Sequence, residues 1–245
     1  MKSLFGQLKF DEEAKQPKYE KSSSCFNGDL EEGNFSGWRF FYGNRKNKNT
    51  IHLNNATPGQ IAGRHELMTA PGNDPNVGPA LPVVNEGSHS LRLGNSSVGG
   101  DYEMASFTFV VDPAHPQMNF RYATVLQDPG DSHSDNEKPR FMYYVSEGTS
   151  HLPVPPDWFI APKSVTADRT NPFFTDIGGG KVYRGWTPTC IDLSAYAGQV
   201  MTLNFLTSDC AQGGHWGYAY IDGLCVSNAP TPKFEIDPVV CASQP

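Results

Sequence analysis

The sequence predicts an all-β fold, a two-sheet jelly-roll β-sandwich with long loops. Its 245 residues include 24 glycines and 20 prolines but only 18% charged residues, which favours short strands joined by turns over helices. About eight to ten extended segments separated by turn residues follow one another, as in one large sandwich domain. In the last of them, Trp216, Tyr218 and Tyr220 alternate with smaller residues, which is the period of a β-strand.

The amino-terminal part of the chain is predicted to pass from a flexible leader into the sandwich. Residues 1–22 are polar and lack apolar periodicity, so they form the leader, and the sandwich domain is placed at 23–228 with its first strand beginning near Cys25. A strand is predicted at 38–42. The proline-rich stretch 54–86 is predicted to be a long surface loop and a candidate binding loop, because proline fixes φ and removes a donor.

The remainder of the domain is predicted to alternate strands with loops. Further strands are predicted at 88–93, 102–111, 118–126, 140–145, 185–193, 199–207 and 216–226. Residues 128–137 form an acidic loop that contains His133, and 147–182 form a second long loop. We interpret the acidic loop as solvated, with a second cation or sugar hydroxyls as the alternative. Residues 229–245 are predicted to be a linker or the start of a following module.

Charge and hydropathy exclude several classes of partner. The net charge of −7 and the pI of about 5.4 argue against nucleic acid, which requires clustered lysine and arginine. No apolar run approaches the ~20 residues that cross a bilayer, so direct membrane insertion is not expected. Residues 1–24 lack the apolar centre of a secretory signal. Two alternatives follow, a signal already removed or a fragment of a longer protein.

The five cysteines, Cys25, Cys190, Cys210, Cys225 and Cys241, are not arranged in the tight pairs of a zinc site, so disulfides are predicted. If the first and last strands are neighbours, Cys25 pairs with Cys225. Cys190 is predicted to pair with Cys210, which leaves Cys241 free or bonded to a following domain. Oxidised pairs would place the protein outside the cytoplasm.

Carboxylates near two strand ends predict a structural calcium ion. Glu31 and Asp222 are the main candidate ligands, with Asp29 and Asp101 as further candidates. Calcium is a hard cation that takes several oxygen ligands from carboxylates and carbonyls. The alternative is that backbone amides satisfy Glu31 and Asp222 without a metal.

Three aromatic residues, Trp158, Tyr183 and Trp186, are candidates for stacking on a sugar ring. The alternative is that these rings fill the interior, which is the role predicted for Trp38 and Trp216. Trp158 lies in a proline-rich loop and is the residue of choice for a test of ligand contact.

No catalytic residue is assigned. The sequence lacks Gly-x-Ser-x-Gly, the histidines show no compact metal-ligand spacing, and His215 is predicted to make a structural hydrogen bond at a loop-to-strand junction. A pair of catalytic carboxylates that meet only in space remains an open alternative.

Two sets of motifs carry a resemblance to known families. The segments 27–31, 37–38, 87–93 and 220–222 resemble jelly-roll modules of the galactose-binding-like, carbohydrate-binding and MAM type. The segments 126–129, 138–141, 192–198 and 208–222 resemble modules of very large surface adhesins of gliding bacteria that use type IX secretion. The resemblance extends over residues 25–228.

This resemblance implies an extracellular, cell-surface module that performs recognition or adhesion without catalysis. Its expected partners are a glycan or another ligand on a cell surface or substratum, and further domains of the same polypeptide. Two alternatives stay open, namely a carbohydrate-active enzyme or its accessory domain, and a purely structural spacer.

Overall fold

The computed structural model describes residues 26–48, 51, 53–150 and 160–226, and these form a β-sandwich of two large antiparallel sheets. The strands are β1 (Trp38–Asn44), β2 (Thr57–Pro58), β3 (His65–Thr69), β4 (Asn73–Asp74), β5 (Gly78–Pro82), β6 (His89–Gly94), β7 (Asp101–Val110), β8 (Gln117–Gln127), β9 (Arg140–Glu147), β10 (Ile160–Thr166), β11 (Thr175–Gly178), β12 (Lys181–Asp192), β13 (Val200–Ser208) and β14 (Gly217–Val226). The predicted all-β jelly-roll fold is confirmed. Within the described part of the chain, no helix has the length and apolar character needed to cross a membrane.

Each large sheet contains six strands. Sheet A has the order β10-β9-β13-β7-β1-β2, and sheet B has the order β11-β12-β8-β14-β6-β3. The opening strand β1 pairs with β2 and β7, whereas the closing strand β14 pairs with β6 and β8. The expectation that the first and last strands are neighbours is therefore wrong for β1 and β14, which lie in different sheets. Residues 26–37 form turns and no strand.

The main hydrophobic core lies between the two sheets. Alternate residues of each strand point into it, for example Phe107 and Phe109 of β7 and Ala219 and Ile221 of β14. Trp38 is buried in this core, as predicted, and its ring lies 5.3 Å from that of Phe107. Burial of so many aromatic and aliphatic side chains is the main source of stability for such a sandwich.

A second cluster covers the outer face of sheet B. Trp216, Tyr218 and Tyr220 of β14 point outward and pack beneath Leu81 and Val83 of the segment that follows β4. The predicted alternation in β14 and the burial of Trp216 are confirmed. The outer face of this sheet is thus a second interior, closed by a hairpin.

That hairpin corrects the prediction of one irregular loop at 54–86. The stretch contains β2 and β3, and β4 pairs with β5 in a small separate sheet. The five residues of β3 contain no proline, so their amides can pair with β6 at the edge of sheet B. The second predicted loop, 147–182, likewise contains β10 and β11.

The outer face of sheet A carries a buried polar network. The Ser106 hydroxyl donates to Asn204 Oδ1 at 2.7 Å, and the Asn204 amide donates to Ser146 Oγ at 3.0 Å. Beside them, the hydroxyls of Thr108 and Thr202 share a hydrogen bond of 2.9 Å. These bonds link side chains of three neighbouring strands, β7, β13 and β9.

Candidate functional site

Asp222 is the best placed of the predicted calcium ligands. It is 1% exposed, and its Oδ2 accepts the backbone N–H groups of Asn85 at 2.7 Å and Glu86 at 3.1 Å. Its other oxygen, Oδ1, is buried without a hydrogen-bond partner. Burial raises the pKa of Asp222 to about 7, and the neighbouring carboxylate of Glu86 adds to the rise. A buried oxygen that lacks a donor is the feature that a cation would complete.

Glu31 reaches the same turn from the opening segment. Its carboxylate accepts the N–H of Ser88 at 2.9 Å and that of His89 at 3.1 Å. Gly87 precedes these two amides and has a φ of +69°, and a Cβ there would lie 2.3 Å from Glu31 Oε1. Glu31 and Asp222 therefore hold one turn, 85–89, from two sides. The backbone amides foreseen as the alternative to a metal do contact both carboxylates.

The other two predicted ligands take different positions. Asp29 accepts the N–H of Glu31 within the opening turn, at 3.4 Å. Asp101, at the start of β7 in sheet A, accepts a hydrogen bond from Asn44 at 2.7 Å and pairs with Arg64 at 3.3 Å. The structure does not bring Asp101 to the 85–89 turn. Glu86, which the sequence did not single out, lies at this turn instead, and its carboxylate packs against Gly223.

The predicted sugar-stacking aromatics are only partly within the described residues. Tyr183 and Trp186 of β12 are half-buried and pack against the cluster on the outer face of sheet B. The Trp186 indole N–H donates to the carbonyl of Pro82 at 2.9 Å, and its ring lies 6.1 Å from that of Tyr220. Trp186 thus anchors the hairpin. Trp158 lies outside the described residues.

An open pocket of about 500 Å³ lies at the edge of sheet A, where sequence reasoning placed no site. Its described lining residues are Phe35, Trp38, Arg39, Phe40, Phe41, Pro58, Gly59 and Gln60. The pocket combines aromatic rings with the polar head groups of Arg39 and Gln60. None of these lining residues carries a carboxylate, so they contain no acid pair for glycoside hydrolysis.

The pocket wall is held in place by the sheet. Arg39 donates to Thr108 Oγ1 at 3.1 Å and to the carbonyl of Thr149 at 2.6 Å. Phe35 packs edge-to-face on Phe40 at 4.8 Å, and the N–H of Gly59 donates to the carbonyl of Phe40 at 2.9 Å. Side chains fixed in this way lose little freedom when a ligand binds.

The cysteines correct one predicted pair. Cys210 is a free, fully buried thiol, so the predicted Cys190–Cys210 disulfide is wrong. Cys190 and Cys225 each take part in a disulfide bond. Cys25 and Cys241 lie outside the described residues, so the pairing of Cys25 with Cys225 stays a prediction.

A group of metal-ligating side chains surrounds the free thiol. His133, Cys210 and His215 each offer one ligand atom, and the three atoms lie within 4.8 Å of one another. Burial and the neighbouring His133 lower the pKa of His215. Sequence reasoning missed this group because His133 lies in the distant acidic loop and because Cys210 was assigned to a disulfide.

Two buried acids, Asp209 after β13 and Glu103 in β7, lie near each other at sheet A. Burial and the neighbouring Glu103 raise the pKa of Asp209 to about 8. Burial also raises the pKa of Glu103 to about 7, although the Arg64 guanidinium opposes the rise. Because Arg64 stabilises the charge on Glu103, we assign the proton to Asp209. Both side chains are closed off from solvent, unlike an acid pair in an active-site cleft.

Comparisons with known proteins identify no family. No family model matches the chain, and no curated protein matches it. Among solved structures, the module TmCBM61 in complex with β-1,4-galactotriose is 11% identical, with a TM-score of 0.41, over 81% of this chain and 93% of that chain. A carbohydrate-binding module from the β-sandwich superfamily is 13% identical, with a TM-score of 0.41, over 80% and 59%.

A third neighbour is the family 11 carbohydrate-binding module of the cellulosomal cellulase Lic26A-Cel5E of Clostridium thermocellum. It is 7% identical, with a TM-score of 0.33, over 78% of this chain and 87% of that chain. These three neighbours are carbohydrate-binding modules.

Proposed function

We propose that this chain is a non-catalytic recognition module that binds a glycan through the pocket at the edge of sheet A. The observation that carries the proposal is the combination of aromatic rings and polar head groups around a cavity of about 500 Å³. A volume of this order is typical of small-ligand sites. Sugars present C–H faces that pack on aromatic rings and hydroxyls that take hydrogen bonds, so the half-buried ring of Phe35 and the polar head groups of Arg39 and Gln60 each have a partner.

The pocket would bind a glycan through packing and hydrogen bonds alone, without catalysing a reaction. The half-buried ring of Phe35 offers an apolar wall, and the exposed side chains of Arg39 and Gln60 offer donors. Because Arg39 is already held by Thr108 and Thr149, its position does not depend on the ligand. Binding of a glycan by a preformed pocket is consistent with a role of this module in adhesion.

A glycan array with the full chain tests the proposal. We expect binding that weakens at least about tenfold in Arg39→Ala and in Gln60→Ala, and that is unchanged in Arg121→Ala, a half-buried arginine of sheet B that serves as the control. Circular dichroism and a melting curve verify that each variant is folded. A chain that binds no glycan would overturn the proposal in favour of the spacer alternative.

The same array distinguishes the pocket from the sites predicted earlier. Loss of binding in Trp158→Ala, with Arg39→Ala unaffected, would move the site to the second long loop. Loss in Trp186→Ala alone, with the hairpin intact, would move it to the outer face of sheet B. Either result contradicts the assignment to sheet A.

We place this module on the outside of the cell, within a large adhesin exported by type IX secretion and joined to further domains. The motif resemblance supports this context, and so do the disulfide-bonded Cys190 and Cys225, since disulfides persist in oxidising compartments. Protease treatment of intact cells, followed by detection with an antibody to the module, checks the location. Protection of the module until the cells are lysed would refute it.

A structural calcium ion belongs to the same proposal. The unpartnered Asp222 Oδ1 and the nearby Glu86 carboxylate fit a hard cation, which would supply positive charge and link β14 to the 85–89 turn. An ion that binds only the folded state raises the free energy of unfolding by about 2.7 kcal/mol at one hundred times its Kd. Melting with calcium and with a chelator measures this increment, and identical curves would remove the ion from the proposal.

A further inference from the structure

The loop 210–215 presents a sulfur and an imidazole on one tight turn. The Cys210 N–H donates to the carbonyl of His215 at 2.9 Å, and the Gly213 N–H donates to the carbonyl of Cys210 at 3.0 Å. Gly213 has a φ of +76°, which the turn requires. This backbone arrangement brings Cys210 and His215 to the same side of the loop, where they meet His133.

The His133 ring is fixed with a lone pair available. The single hydroxyl proton of Ser132 is donated to the carbonyl of Pro129 at 2.8 Å. Ser132 Oγ must therefore accept from His133 Nδ1, which lies 3.0 Å away. The proton of a neutral ring is thus on Nδ1, and Nε2 carries the lone pair. That Nε2 is buried without a hydrogen-bond partner.

His215 has a matching unsatisfied nitrogen. Its Nδ1 is also buried without a partner, and its ring lies 5.0 Å from that of His133 in an edge-to-face arrangement. Buried polar atoms are satisfied in the great majority of native structures. Two such nitrogens beside one sulfur are an arrangement that a metal ion would satisfy once His215 takes the tautomer with its lone pair on Nδ1.

The sulfur of Cys210 is positioned as a ligand. Its Sγ accepts the backbone N–H groups of Gly214 and His215, both at 3.2 Å. Hydrogen bonds of this kind orient a ligand atom and offset the charge of a metal-bound thiolate. Cys210 is fully buried, so it is closed to the substrates that a nucleophilic cysteine would attack.

The two loops that contribute ligands are tied to each other. The Ala211 N–H donates to the carbonyl of Glu137 at 2.8 Å, and the Gln212 amide donates to the Glu137 carboxylate at 3.2 Å. Glu137 also accepts the N–H and the hydroxyl of Ser134, next to His133. The three ligands are therefore held together before any ion arrives, which favours tight binding.

From these contacts we infer that His133 Nε2, Cys210 Sγ and His215 Nδ1 form a binding site for a transition-metal ion of the zinc and copper class. Imidazole and thiolate ligands select these metals over calcium and magnesium. With Zn–N near 2.0 Å and Zn–S near 2.3 Å, a tetrahedral ion holds its ligand atoms about 3.3 to 3.6 Å apart. Contraction from the present spacing requires side-chain shifts of about 1 Å.

The ion would cross-link the acidic loop to the 210–215 turn at one end of the sandwich. Three protein ligands leave a fourth position for water or for a group from outside the chain. The site is separate from the pocket and from the Asp222 turn, so it does not depend on glycan binding.

Zinc and cobalt titrations of the full chain, produced without a histidine tag, test the inference. We expect one Zn²⁺ per chain, and an affinity that falls at least about a hundredfold in Cys210→Ala, His133→Ala and His215→Ala. The control is His115→Ala, an exposed histidine outside the group. Ser132→Ala should weaken binding about tenfold, because Ser132 only orients His133. Elemental analysis of the protein as isolated decides between zinc and copper.

Cobalt supplies a readout that a merely structural cysteine would not give. Co²⁺ in the wild-type site should show a thiolate-to-cobalt charge-transfer band, and Cys210→Ala should abolish it. Should Cys210→Ala not fold, the band is followed in His133→Ala, where the weakened affinity must appear as a shifted titration. A chain that binds no zinc at micromolar concentration, or variants that bind as the wild type does, would overturn the assignment.

Discussion

Asp74 and Asp222 are two buried carboxylates that hold the same segment, 73–89, against the outer face of sheet B. Asp74 Oδ1 accepts the N–H groups of Asn76 and Val77, both at 2.8 Å, and its Oδ2 accepts the hydroxyls of Tyr218 at 2.7 Å and Tyr220 at 2.8 Å. Asp222, which follows Tyr218 and Tyr220 on β14, accepts hydrogen bonds through only one of its oxygens.

We call the Asp74 contact closed, because both carboxylate oxygens have donors from the chain, and the Asp222 contact open, because one oxygen has none. Every oxygen of Asp74 has donors from the chain itself, so this end of the segment is complete without any added group. Asp222 leaves one buried oxygen unsatisfied, and the nearby Glu86 carboxylate repels it. Burial alone therefore does not indicate a ligand site. A buried polar atom without a hydrogen-bond partner is the better indicator of a ligand site. By this criterion His133 and His215 differ from His65, whose two ring nitrogens both have partners.

The largest effect should come from the closed contact. Asp74→Ala leaves two buried tyrosine hydroxyls and two backbone amides without an acceptor, and we expect the free energy of unfolding to fall by about 3 to 5 kcal/mol. Denaturant unfolding measures the change, with Asp131→Ala, an exposed aspartate, as the control that shifts by less than about 0.5 kcal/mol. A loss in Asp74→Ala as small as the control would show that the contact contributes little.

The pH dependence of stability tests the two buried aspartates with raised pKa values, Asp209 and Asp222. The folded-state pKa of Asp209 is about 8 and that of Asp222 about 7, both above the unfolded value. The folded protein thus retains protons that the unfolded chain has lost, and stability must fall as the pH rises from about 4 toward 8. Each such proton contributes up to about 1.4 kcal/mol per pH unit.

Urea unfolding at several pH values in chelator measures this slope. Asp209→Asn keeps the side-chain shape but removes the titrating group, so it should flatten the decline between pH 5 and pH 8. A wild-type stability that rises over this interval would contradict the assignment of the proton to Asp209.

The open contact should respond to calcium. Asp222→Asn is expected to change stability by less than about 1 kcal/mol in chelator, since the neutral amide replaces a poorly solvated carboxyl group. In calcium, the variant should lose the stabilisation that the wild type gains, about 1 to 3 kcal/mol. Differential scanning calorimetry with and without calcium checks both values, with Asp176→Asn as the exposed control. An increment retained in Asp222→Asn would place the ion elsewhere.

The smallest effect concerns the anchor of the hairpin. Trp186→Phe keeps an aromatic ring beside Tyr220 but removes the donor to the Pro82 carbonyl, at a cost of about 1 kcal/mol. Hydrogen exchange of amides in 73–82 should quicken while exchange in the main core stays unchanged. Uniform exchange across both regions would show that the hairpin does not open separately.

The fold was predictable because its strongest signals are local. The alternation of Trp216, Tyr218 and Tyr220 predicts a strand with one large-residue face, and the structure contains it. The alternation does not show whether that face packs into the core between the sheets or into the cluster on the outer face of sheet B. The face packs beneath a hairpin drawn from the proline-rich stretch, whose strands of two and five residues are too short to give a periodic signal.

The candidate sites were less predictable because they depend on contacts between distant residues. Asp222 and Glu31 were proposed as ligands because both were expected at strand ends. Asp222 in fact lies inside β14 and Glu31 in the turns of 26–37, but both carboxylates contact the 85–89 turn. Cys210 was given a disulfide partner on the assumption that cysteines pair, although its sulfur faces two histidines. The pocket was missed because Phe35 and Gln60 meet only after β1 and β2 pair.

The buried polar network on sheet A has a consequence for how its strands align. Side chains repeat every two residues, so a slip of β13 by one position would turn Asn204 and Thr202 toward the apolar core and bring Leu203 against Ser106. Each hydroxyl and amide would then lose its counterpart at once. Apolar side chains can pack against many different neighbours, whereas the hydrogen-bonded side chains on the outer face of sheet A each need one particular partner. This network therefore selects a single register of the central strands.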